Sequence, residues 1–89
     1  MIVTVEISLY PLHQDYEVII IDFIKSLNEH EGLWVRTNAM STHVKGEWAL
    51  VMDVLKKELG TVYDKIDTSS TVIKIINDNL EIERGELKF

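Results

Sequence analysis

Residues 37–47, Thr37-Asn38-Ala39-Met40-Ser41-Thr42-His43-Val44-Lys45-Gly46-Glu47, carry one strand-like pattern into another with no Gly, Pro or charge at the junction. Tight hairpin junctions ordinarily use Asn-Gly, Asp-Gly or other residues that tolerate positive φ. Hydroxyls and a thioether at this point suggest a small, weakly polar pocket. The plainer alternative is a tight β-arc whose Ser41 and Thr42 satisfy local backbone groups. In both cases two strands follow each other directly in the middle of the chain, and the elements on either side decide which sheet they join.

Upstream, residues 2–10 alternate, with Val3, Val5, Ile7 and Leu9 on one side and Thr4, Glu6, Ser8 and Tyr10 on the other, the period of a half-buried strand. Pro11 ends it. Asp15 is placed to cap a helix running to about Glu31, in which Tyr16, Ile20, Phe23, Ile24 and Leu27 recur at helical spacing, and Gly32 closes it. Alternation resumes over 33–40, with Leu33, Val35, Thr37 and Ala39 opposed to Trp34, Arg36, Asn38 and Met40, and a third strand covers about 42–45. Beyond Gly46 the spacing of Trp48, Val51, Met52, Leu55, Leu59, Val62 and Ile66 predicts a second amphipathic helix, its solvated side carrying Asp53, Lys56, Lys57 and Glu58. The β-branched run 71–76 is a fourth strand. The order βαββαβ closes most simply as an α+β ferredoxin-like plait, an antiparallel sheet with two helices on one face. Its core should join Phe23, Leu27, Met52 and Leu55 to Val3, Val5, Val35 and Ile73. After the turn cluster Asn77-Asp78-Asn79, the tail bearing Leu80, Ile82, Leu87 and Phe89 is too apolar for a solvated end and is expected to dock.

The 89 residues allow one domain, spanning 1–89, with no repeat or linker. A chain of this size buries only roughly 60% of the surface it exposes when unfolded, so self-association is expected to supply further buried area. The absence of cysteine excludes thiol chemistry and a disulfide scaffold and fits a cytoplasmic location. The start at Met1-Ile2-Val3 lacks the pattern of a signal peptide, and the apolar run Val18 to Ile21, like every other in the sequence, is far too short to span a bilayer. A net charge of −6 disfavours nucleic acid and anionic membrane as partners and suits a neutral or cationic small ligand.

His13, His30 and His43 fall in a loop, at a helix end and in a strand, without the spacing of a metal site. Ser41 and His43 share a strand face, but no strained elbow or Gly-rich oxyanion turn accompanies them, and the four glycines are too scattered for a phosphate loop. No catalysis and no cofactor are indicated. The open face of the sheet, opposite the helices, is the unusual surface. By strand parity it carries Thr4, Glu6, Ser8 and Tyr10, then Trp34, Arg36, Asn38 and Met40, Ser41 and His43, and Val72, Lys74 and Ile76. Uncovered, such a mixture would be adhesive. One use for it is a subunit interface through Trp34, Val72 and Ile76. Another is a site for a planar heterocycle, with a ring face from Tyr10 or Trp48 and donors and acceptors from Asn38, Ser41 and Thr42. An RNA-binding plait would also expose aromatics here, but it would add basic residues where the first strand presents Glu6.

Four segments, in order and spacing, resemble the small thiamine-binding proteins, which also recognise the hydroxymethylpyrimidine half of thiamine. They are Leu9-Tyr10-Pro11-Leu12, Ala39-Met40-Ser41-Thr42 followed by Gly46-Glu47, Val51-Met52-Asp53-Val54-Leu55, and Ile73-Lys74-Ile75. The resemblance implies a ferredoxin-like fold, association into dimers or tetramers through the sheets, and a pyrimidine near Met40-Ser41-Thr42. The chain departs from many relatives in carrying Ile76 and Asn77 after the Ile-Lys-Ile strand, and in its two tryptophans, Trp34 and Trp48. On this reading Ser41, Thr42 and Asn38 hydrogen-bond an aminopyrimidine, and Tyr10, Met40 or Trp48 stack on or cover it. Glu6 meets an amine or ring nitrogen, and Ser8 lies beside it on the same face. The expected function is binding of thiamine or its pyrimidine without transforming it. An amino-acid-binding regulatory module of the ACT type and a pure assembly protein are the alternatives.

Overall fold

The computed structural model describes residues 1–82. Its elements are β1 (Ile2–Pro11), α1 (Tyr16–Asn28), β2 (Trp34–Thr37), β3 (Thr42–Glu47), α2 (Trp48–Lys65) and β4 (Ser69–Ile76). The four strands form an antiparallel sheet in the order β2-β3-β1-β4, and the helices pack on one side of it, as the ferredoxin-like pattern requires. β1 is the central strand. Val5 lies opposite Val44 of β3 and Ile75 of β4, and Glu6 lies opposite His43 and Lys74.

The alternation read along β1 is what the core uses: Val3, Val5, Ile7 and Leu9 are all buried, joined by Val44 of β3 and by Phe23, Leu27, Val51, Val54, Leu55, Leu59 and Val62 of the helices. Val35 and Met52 pack at its margin. On α1 the expected Phe23 and Leu27 are buried, and the stripe shifts only at its start. Ile19, Phe23 and Leu27 reach the core, whereas Tyr16 stays exposed. The run Val18-Ile19-Ile20-Ile21 offers an apolar residue in nearly every direction, so spacing alone does not choose the buried side. Asp15 precedes the helix without capping it through its side chain. The helix stops three residues short of Glu31, because the amides of Glu29 and His30 turn to Ser26 and Leu27, tightening the last turn. Gly32 then takes φ +87, a conformation that L side chains rarely adopt, and a Cβ there would lie 2.9 Å from Leu50.

Two further expectations are corrected. Glu58 is on the packed side of α2, not the solvated one, because its carboxylate meets His30 Nε2 at 3.1 Å. Ile73 stays 39% exposed, since the helices lie mainly over β1, β2 and β3 and leave β4 as an uncovered edge. Of the tail, residues 77–82 cross the open face of the sheet; Leu87 and Phe89 lie outside the described residues. No helix among the described residues is long and apolar enough to cross a membrane.

Candidate functional site

β2 ends at Thr37, earlier than the alternation suggests, because Asn38 builds the turn. Its Oδ1 accepts from the amides of Met40 at 2.8 Å and Ser41 at 3.1 Å, and its own amide donates to the Ser41 carbonyl at 3.0 Å. The Asn side chain mimics a backbone turn, which explains a hairpin with no glycine. Local backbone groups are thus satisfied by Asn38, and the Ser41 hydroxyl is left for the sheet. It donates to Glu6 Oε2 at 3.0 Å.

Glu6 is the hub of the open face. Besides Ser41, its Oε2 lies 3.2 Å from His43 Nε2, which donates to it in the Nε2–H tautomer, and Lys74 Nζ lies 3.6 Å from Oε1. These contacts follow from register, since Glu6 is the cross-strand partner of both His43 and Lys74. The Ser41 hydroxyl above all, then the His43 ring and the Lys74 ammonium, hold the Glu6 carboxyl below the usual glutamate range, against a smaller opposing effect of burial. Ser41 Oγ also lies 3.4 Å from His43 Nε2. Serine and carboxylate therefore meet the same ring nitrogen, whereas a Ser-His-acid relay needs them on opposite nitrogens. The cluster presents an ionised carboxylate flanked by donors rather than an activated nucleophile. Among the described residues no group of three or more His, Asp and Glu gathers in a way that could hold a metal ion.

Beside this row a cleft of about 140 Å³ opens between the sheet and the segment 77–82. Glu6, His43 and Lys74 form its polar floor, and Ile76, Leu80 and Ile82 its apolar side. A larger hollow of about 250 Å³ between α2 and β4 is lined by Tyr63, Ile66, Asp67, Thr68 and Ser69, none of them a sequence candidate. Convergent polar groups against an apolar wall make the Glu6 cleft the better candidate for a binding site.

The sequence candidates divide. Glu6 and Ser41 come together, and Ser8, half-buried opposite Val72, continues the same face of β1. Tyr10 lies further along, 52% exposed. Asn38 is committed to its turn, and Met40 projects 84% exposed from the tip. Thr42 faces the other way: it pairs with core-facing Ile7, is buried, and its hydroxyl lies 3.0 Å from that of Thr37. Trp48 opens α2 with its amide on the Met1 carbonyl, so it sits at the opposite end of β1 from Tyr10. The eight steps from Ile2 to Tyr10 span about 26 Å at a strand rise of about 3.3 Å per residue, too far for Trp48 and Tyr10 to hold one ring in one subunit. His43 and Lys74, which the motif does not include, join the candidate site: parity puts both on the face of Glu6, and only the register makes them its neighbours.

Nothing among curated proteins matches the chain. Among solved structures it is similar to a protein of Streptococcus pneumoniae, with 23% identity and a TM-score of 0.82 over 96% of this chain and 97% of that one. It is also similar to a Thermotoga maritima protein provisionally assigned to thiamine biosynthesis or salvage, with 20% identity, a TM-score of 0.81, and 94% and 95% of the two chains covered. A protein of Methanocaldococcus jannascii shares 26% identity at a TM-score of 0.77, over 94% of this chain and 91% of that one. At such identities the first two likenesses speak for the fold. The model of the family described as thiamine-binding protein matches residues 5–83, nearly the whole chain, and so this chain belongs to the thiamine-binding protein family.

Proposed function

We propose that the protein binds thiamine, or its hydroxymethylpyrimidine half, without transforming it, and that the pyrimidine occupies the cleft over Glu6. The observation that carries this reading is the ionised Glu6 carboxylate set between the Ser41 hydroxyl and the His43 ring, beside an apolar wall. An aminopyrimidine has an amino group that donates and ring nitrogens that accept. Glu6 takes the amino group, Ser41 or His43 answers a ring nitrogen, and Ile76, Leu80 and Ile82 cover the ring. Ser8 and Tyr10 extend the floor toward the rest of the ligand, with Met40 at the rim.

The cleft, at about 140 Å³, falls short of the roughly 300–1,000 Å³ of a complete small-molecule site. It suits one ring, and the remainder of thiamine lies along the open face. That face still exposes Tyr10, Trp34, Val72 and Ile76, and a second copy packed on it, in a dimer or tetramer, encloses what one chain leaves open. Thermal-shift and calorimetric titration with thiamine, hydroxymethylpyrimidine, their phosphates and a set of amino acids tests the reading. A ligand that binds only the folded state stabilises it by about 2.7 kcal/mol at about 100 times its dissociation constant. A response to an amino acid alone would favour a regulatory module, and no response to any compound would favour an assembly protein.

A further inference from the structure

Thr4 belongs to the open face of β1, yet it is only 5% exposed. What covers it is the segment 77–82, which leaves β4 and turns back across the sheet. One hydroxyl makes two bonds to that segment: Thr4 Oγ1 donates to the Asp78 carbonyl at 2.7 Å and accepts from the Leu80 amide at 3.1 Å. Lys45, opposite Thr4 in the register and equally buried, donates from Nζ to the Leu80 carbonyl at 3.0 Å. Both backbone groups of Leu80 are thereby tied to the sheet.

Holding such a segment in one path costs conformational entropy, and a tail that docked for stability alone would offset it by sinking its apolar side chains into the core. Here they do otherwise. Leu80 and Ile82 stand outside the core cluster and form one side of the cleft whose floor is Glu6, His43 and Lys74, with Leu80 still 37% exposed. An apolar group held rigidly beside a charged row, with one side unfilled, matches a flat ring that is polar at its edge and apolar on its face. We infer that the segment 77–82 is the fixed wall of the ligand site, and that Thr4, which also borders the cleft, is its positioning residue through the bonds that set Leu80. This rests on the function proposed above and adds to it a determinant of ring recognition outside the Met40-Ser41-Thr42 motif.

The test combines calorimetric titration of hydroxymethylpyrimidine and thiamine with hydrogen exchange at the Leu80 amide, in the parent, Leu80→Ala, Thr4→Val and Thr4→Ser. Leu80→Ala trims the wall at the surface and should weaken the pyrimidine about fivefold or more, the expectation for losing part of a buried Leu side chain. Thr4→Val keeps the shape and removes both bonds, so exchange at Leu80 should quicken without ligand and affinity should fall about fivefold. Thr4→Ser restores the affinity that Thr4→Val loses, and saturating ligand slows Leu80 exchange in the parent. If the parent binds but Leu80→Ala and Thr4→Val bind equally well, or ligand leaves Leu80 exchange unchanged, the wall is only a docked tail and the inference falls alone. If the parent binds no pyrimidine, the proposed function falls and takes the inference with it.

Discussion

Glu6→Gln separates structural from ligand-binding roles most sharply, because it removes one charge and almost no volume. In the folded chain Glu6 accepts from Ser41 at 3.0 Å, lies 3.2 Å from His43 and sits 3.6 Å from the Lys74 ammonium. Its side chain is 42% exposed and that of Lys74 is 66% exposed, so the ion pair is screened by water and contributes roughly 0.2–1 kcal/mol. A Gln carbonyl still accepts from Ser41 or His43, which keeps the expected loss of stability to about 1 kcal/mol or less. With that oxygen taken up by Ser41 and His43, the Gln NH2, a donor, stands where the ligand's amino group needs an acceptor. An amino group facing the carboxylate loses a hydrogen bond to a charged group, worth about 1.5–3 kcal/mol, so its dissociation constant should rise roughly 10- to 150-fold. Chemical denaturation reads the first quantity and calorimetric titration with hydroxymethylpyrimidine the second. Equal affinity of Glu6→Gln and a binding-competent parent would refute the placement of the amino group at Glu6. A stability loss above about 3 kcal/mol would refute the half-exposed, screened description of the cluster.

Acid should act through the same residue. The folded pKa of Glu6 lies below its ordinary value, so the stability it contributes is fully present above that value, about 4.3, and is lost as pH falls through the lowered folded one; the difference in unfolding free energy between parent and Glu6→Gln should be flat above about pH 5.5 and shrink below about pH 4, and a difference that grows on acidification would reverse the sign. Leu55 is 2% exposed at the centre of the core, and Leu55→Ala should cost roughly 2–5 kcal/mol in urea denaturation; less than about 1 kcal/mol would mean that the face of α2 is misassigned. Thr42→Val removes a hydroxyl that faces Thr37 on the helix side, so stability should fall by about 1 kcal/mol or less while pyrimidine affinity stays at the parent value, and a fivefold weakening would place Thr42 in the site after all. Light scattering at micromolar concentration should find a dimer or tetramer that Trp34→Glu dissociates, whereas a monodisperse parent monomer would leave the open face without its proposed cover.

Alternation in β1 and helical spacing in α2 fixed which element each segment forms, because a strand repeats every second residue and a helix about every 3.6, and a core-facing row cannot satisfy both. The parity of β1 also told the buried row from the open one, down to Glu6, Ser8 and Tyr10 on the same face. Asn38 shows where local reading stopped short. Its place in the alternation put it in a strand, but its side chain satisfies the amides of Met40 and Ser41, ends β2 and frees the Ser41 hydroxyl for Glu6. Thr42 and Ser41 are adjacent in the chain and opposite in the sheet, so one motif splits between core and site. Which residue of the run 18–21 joins Phe23 and Leu27 inward, and that Glu58 turns in to meet His30, depended on the tertiary partner, since the sequence of α1 is apolar on several sides. The cleft itself was beyond any local pattern. It needs the register that sets His43 and Lys74 beside Glu6 across three strands, and the return of residues 77–82 over Thr4 and Lys45, contacts between residues up to 76 positions apart that only chain closure brings together.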